Sequence, residues 1–86
     1  MANLGNFTIK TDGEYQNLAE ISGLTFTSGD VYVLQVKNEC ILCESVNKPD
    51  SGGFVIDNKM IIQWKKGDGD LWVKTDNGFT VINIAE

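Results

Sequence analysis

Asp70-Leu71-Trp72-Val73-Lys74-Thr75-Asp76-Asn77-Gly78-Phe79-Thr80-Val81-Ile82-Asn83-Ile84 reads as two strands with a turn between them. Leu71 and Val73 share one face of the first strand, and Asp70, Trp72 and Lys74 share the other. Asn-Gly tolerates the positive φ of a type I′ turn, so Asp76-Asn77-Gly78 predicts a hairpin. The second strand is apolar in both phases, with Phe79 and Val81 on one side and Ile82 and Ile84 on the other.

Working back from this stretch, the same pattern repeats. Lys66-Gly67-Asp68-Gly69 reads as a turn, Met60-Ile61-Ile62-Gln63-Trp64-Lys65 as a strand, and Asp57-Asn58 as another turn. Phe54-Val55-Ile56 is a short strand behind the one long loop, Asn47 to Gly53, which is dense in turn residues. Cys40 to Ser45 is a strand entered through a tight turn at Asn38-Glu39. Val31-Tyr32-Val33-Leu34-Gln35-Val36-Lys37 is the clearest strand, rich in β-branched and aromatic residues. Phe7 to Lys10 reads as a further strand, followed by a turn at Asp12-Gly13. Tyr15, Leu18, Ala19 and Ile21 have a spacing that also suits a helical turn, but ten residues make a marginal helix. Strand or irregular structure is therefore expected from Gly13 to Ser22.

Strands at this spacing predict an all-β chain. The expected architecture is a small single-domain antiparallel β-sandwich or barrel of about seven to eight short strands. It spans residues 1–86, with 1–6 as a flexible N-terminal segment. Eighty-six residues form one domain. Stability of about 3–5 kcal/mol is expected unless oligomerisation adds to it.

Composition excludes several classes. At 42% hydrophobic and 22% charged, the chain is neither a disordered tail nor a membrane span. Met1-Ala2-Asn3-Leu4-Gly5-Asn6 has no basic or apolar region of a secretory signal. The net charge is −5, the seven basic residues are all lysines, and they are scattered. Neither a nucleic-acid partner nor a membrane partner is expected, because phosphate contacts need a basic patch.

The chain has no histidine. That removes the commonest general base and the Ser-His and Cys-His arrangements, so no enzyme activity, catalytic residue or cofactor is expected. Cys40-Ile41-Leu42-Cys43 spells C-x-x-C, but no second ligand pair completes a zinc site. Residues three apart on a strand face opposite sides, so the two thiols are expected to stay unpaired. Asp68-Gly69-Asp70 lacks the ligand spacing of an EF-hand, and no metal site is expected. Gly67-Asp68-Gly69 lacks the Gly-Lys-Ser/Thr of a phosphate loop.

Trp64 alternates with Met60 and Ile62 and is expected in the core, whereas Trp72 is the candidate surface anchor. The two-sided apolarity of Val31–Val36 and of the last strand points to a homo-oligomer, such as a trimer, that buries one of those faces.

The run Pro49…Gly53-Phe54-Val55-Ile56…Trp64…Gly69-Asp70-Leu71-Trp72-Val73-Lys74-Thr75…Gly78…Val81-Ile82-Asn83-Ile84-Ala85-Glu86 resembles small structural proteins of tailed bacteriophages. The resemblance covers residues 31 to 86. It implies a β-sandwich module of the virion: a capsid decoration, head-fibre or tail-associated protein. Such a protein is made in the host cytoplasm, has no enzyme activity, and docks on a capsid, fibre or other virion protein. The interface candidates are Trp72, Phe79, Val81, Asp70 and Asn77. The alternative is a carbohydrate- or receptor-binding module, with Trp72 stacking on a sugar beside Asp68, Asp70 and Asn77.

Overall fold

The computed structural model describes residues 2–11, 13–76 and 78–86. The described strands are β1 (Asn3–Lys10), β2 (Gln16–Asn17), β3 (Val31–Val36), β4 (Cys40–Ser45), β5 (Phe54–Ile56), β6 (Ile61–Lys65), β7 (Asp70–Lys74) and β8 (Phe79–Ala85), with one short helix, α1 (Leu18–Ser22). They form two four-stranded antiparallel sheets, ordered β1-β8-β3-β6 and β2-β7-β4-β5. The all-β fold expected from the sequence is therefore found, and of the sandwich and barrel it allowed, the two sheets make the sandwich.

The alternation read along each strand sets which side chains turn inward. Ile9, Leu34, Val36, Ile82 and Ile84 of the first sheet meet Cys40, Leu42, Leu71 and Val73 of the second in one core. Phe26, Tyr32 and Trp64 extend that core as an aromatic cluster. Phe26 stands edge-on to both other rings at 4.9 and 5.3 Å between centroids, a favoured arrangement for ring quadrupoles. Trp64 is buried as expected.

Pairing departs from the hairpin reading. β7 and β8 lie in different sheets, so the Asp76–Gly78 turn carries the chain between layers rather than closing a hairpin. Asn77 itself lies outside the described residues, as do Met1 and Asp12 of the predicted Asp12-Gly13 turn. Asn38-Glu39 likewise joins β3 of one sheet to β4 of the other. Among the described strands, only β4 and β5, joined by the long loop, are successive and paired with each other.

Buried hydroxyls hold these crossings together. Thr11 Oγ1 donates to the Thr75 carbonyl at 2.7 Å and accepts from the Thr75 N–H at 2.9 Å. Thr75 Oγ1 donates to the Glu39 carbonyl at 3.0 Å, and Thr80 Oγ1 to the Asn38 carbonyl at 2.8 Å. Polar atoms buried at the corner thus find partners in the neighbouring crossing, which fixes the turns in a cross-layer arrangement.

The chain start also differs from expectation. From Ala2 on, the segment read as flexible is paired: β1 runs antiparallel to β8, and Ala2 and Glu86 exchange backbone hydrogen bonds of 2.7 and 2.8 Å. Within Gly13–Ser22 a five-residue helix forms instead of strand or irregular structure throughout. Asn17 caps it, its Oδ1 accepting from Ala19 N, and Gly23 ends it in the left-handed conformation at φ 75°. The helix packs against β1, β2 and β7, with Leu18 fully buried. It closes the side of the sandwich where β1 and β2 are the marginal strands. No described helix is long and apolar enough to cross a membrane.

Candidate functional site

The sequence candidates fall on two opposite outer faces. Asp70 and Trp72 stand on the outer face of the β2-β7-β4-β5 sheet, because Leu71 and Val73 take the inward positions. Phe79 and Val81 stand on the outer face of the other sheet, because Thr80 and Ile82 point inward. The layers separate these pairs, so they do not form one site. Asn77 lies outside the described residues.

Trp72 is half-buried, between Asn17 and Cys43 on the neighbouring strands. Its indole N–H donates to the Ser45 carbonyl at 2.9 Å. Asp70 Oδ2 accepts from Asn17 Nδ2 at 3.1 Å, which ties the helix cap to β7. The Lys74 ammonium lies 5.0 Å from the centre of the Tyr15 ring, whose hydroxyl donates to the Gly52 carbonyl. This brings the long loop over the sheet. Burial, with a smaller contribution from Cys43, raises the Tyr15 pKa above its ordinary value. Asp70, the Trp72 indole N–H and the Tyr15 hydroxyl are thus engaged within the fold, while Asp68 is exposed.

Phe79 is 46% exposed and Val81 half-buried. Their cross-strand partners on β1 are Lys10 and Thr8, and Lys37 bonds Asn6 across the same surface at 2.9 Å. Polar side chains therefore interrupt the apolar ones on this face.

An exposed apolar surface that the sequence reading passed over lies elsewhere on the sandwich. On the side opposite α1, the marginal strands β5 and β6 stand apart, and an open groove of about 470 Å³ runs between them into the core. Leu42, Phe54, Ile56, Met60, Ile62 and Trp64 line it. Phe54 is 77% exposed, Ile61 64% and Val55 61%, with Met60 also exposed. Phe54 occupies an inward position, paired with the buried Leu42, yet meets no facing strand. The Trp64 indole N–H is covered and has no acceptor among the described residues. Ile61 was the available signal: it breaks the Met60/Ile62/Trp64 alternation by adding an apolar side chain in the opposite phase.

The two cysteines are free and face opposite sides, as the strand spacing requires. Burial pushes the Cys40 thiol up to about 11, against a hydrogen bond with Thr80 that lowers it. Among the described residues no group of three or more His, Cys, Asp or Glu side chains is arranged to hold a metal ion.

Comparison with known proteins found no matching family model, curated protein or solved structure.

Proposed function

We propose that this chain is a non-enzymatic assembly module, acting by burial of apolar strand surface against copies of itself and against a second structural protein. The observation that carries this reading is the open side between β5 and β6. There an apolar groove, flanked by the edge strands of both sheets, is left without cover among the described residues. Exposed apolar edges of this kind are templates for pairing with another chain, and proteins that function as monomers blunt them. The resemblance to tailed-phage structural proteins supplies the setting: a virion component, decorating the capsid or belonging to a head fibre or tail.

Light scattering coupled to size exclusion tests the assembly reading across a range of concentrations. A stable oligomer of the 9.5 kDa chain is expected. A mass that stays at one chain throughout overturns self-assembly. Weight then moves to a ligand-binding module, with Trp72→Ala the first variant to assay on a glycan array.

A further inference from the structure

Resting on the assembly reading, we infer that β6 is a two-fold contact: it pairs antiparallel with β6 of a second copy, joining two four-stranded sheets edge to edge about an axis through Gln63.

The ladder geometry supplies the first argument. β3 and β6 pair with Val33 opposite Gln63 and Leu34 opposite Ile62. Just beyond the ladder ends, Val36 N donates to the Met60 carbonyl at 3.0 Å and Lys66 N to the Asp30 carbonyl at 3.0 Å. Antiparallel ladders alternate hydrogen-bonded and non-hydrogen-bonded pairs, so Ile62 and Trp64 turn their backbone groups toward β3. The N–H and C=O groups of Ile61, Gln63 and Lys65 therefore point out of the sheet edge. Among the described residues no neighbouring strand takes them up, since β6 is the last strand of its sheet.

The second argument is self-complementarity. With Gln63 opposite Gln63 of the second copy, Ile61 faces Lys65 and Ile62 faces Trp64. All three outward-pointing residues then pair, giving about six backbone hydrogen bonds. The registers centred one residue away pair only two of the three. The register centred on Lys65 sets two ammonium groups against each other, which is unfavourable. In the Gln63 register the Lys65 stem instead lies along an isoleucine.

The third argument is protection. The opposite side has its devices: β2 is two residues long, β1 carries a register shift between Asn3 and Gly5, and α1 covers the gap. β6 has neither proline nor bulge, and its groove is open. The body measures 30 × 26 × 20 Å. β6, five residues and about 17 Å long, runs along only part of that side, so the contact lies at the small end of the interface range.

Gln63→Pro tests the contact directly. It removes an N–H that the isolated fold does not use, and proline is tolerated at such edge positions. Wild-type protein is expected to scatter at twice the chain mass, and Gln63→Pro at the chain mass, with the far-ultraviolet circular dichroism of the parent. Gln63→Lys, which keeps the N–H but opposes two ammonium groups, is expected to weaken the dimer at least tenfold and guards against misfolding of the proline variant. Phe79→Ser and Val81→Lys, on the outer face, are expected to leave the dimer intact. An oligomer that survives both Gln63 variants, or that is lost in the Phe79 and Val81 variants, overturns the β6 contact and leaves the assembly reading standing. A trimer does the same, because a two-fold edge contact leaves its third copy unpaired. A monomer at every concentration overturns both.

Discussion

The two sides of the sandwich solve the same problem differently. Each side is bounded by the marginal strand of either sheet, and each exposes a seam into the core. On the β1/β2 side the chain fills the seam itself. Asn17 ends β2 and starts α1, and Leu18 drops into the core with no exposed surface. On the β5/β6 side the connection is only the short turn from Asp57 to Met60. None of the described residues fills the seam, and Phe54, Val55 and Ile61 stay exposed. A five-residue helix is thus enough to separate a finished side from an unfinished one. The chain completes its own core on one side of this small domain and leaves it open on the other.

The comparison yields predictions of decreasing size. Leu18→Ala on the closed side removes a fully buried side chain and is expected to cost about 2–5 kcal/mol, read by urea unfolding. If the loss is below about 1 kcal/mol, α1 is not sealing the core and the contrast between the sides collapses.

The thiols report how well the core beside β5 is sealed. Cys40, opposite Ile56 of β5, is buried, and its pKa is raised to about 11. The folded state holds this proton more tightly than the unfolded chain does. Its contribution is therefore complete below the ordinary thiol range and is lost as the pH rises from about 9 toward 11, up to roughly 2–3 kcal/mol. Unfolding midpoints measured across that range check the slope, and the Cys40→Ala variant is expected to flatten it. Cys43, half-buried on the outer face, is expected to react with a thiol reagent well before Cys40.

Asn17→Ala removes the helix cap and the bond to Asp70, at an expected cost of about 1–2 kcal/mol. On the open side, Phe54→Ser is expected to change monomer stability by no more than about 0.5 kcal/mol, because the ring is mostly in water already. A larger loss would show that Phe54 belongs to the core of the single chain, and the groove would cease to be a docking surface.

Much of this was legible in the sequence. Strand positions from Val31 onward follow the alternation closely, and the assignments of Trp64 to the core and of the two cysteines to opposite faces follow from it too. The helix was legible only in part. Its spacing was visible, but five residues carry too little intrinsic stability to be read without the cap and the packing of Leu18. Of the candidate site residues, Trp72 and Asp70 proved to be tied into the fold, and Phe79 and Val81 lie on the far layer. Phe54 and Ile61 were passed over, because an apolar residue in a strand reads as core until its neighbours are known.

The sequence by itself determined that the chain is all-β, where it turns and, in strands with a single apolar phase such as Asp70–Lys74, which side chains face inward, because side-chain direction has a fixed period of two; in Val31–Val36 and the last strand, apolar in both phases, packing made that choice. It did not determine which strand pairs with which. A turn such as Asp76–Gly78 serves a hairpin or a layer crossing equally well. The choice between them rests on Thr11, Thr75 and Thr80 meeting partners distant in sequence at the corner of the sandwich. The open side was likewise decided only in three dimensions: a strand becomes an edge through the absence of a neighbour, which no residue in it encodes.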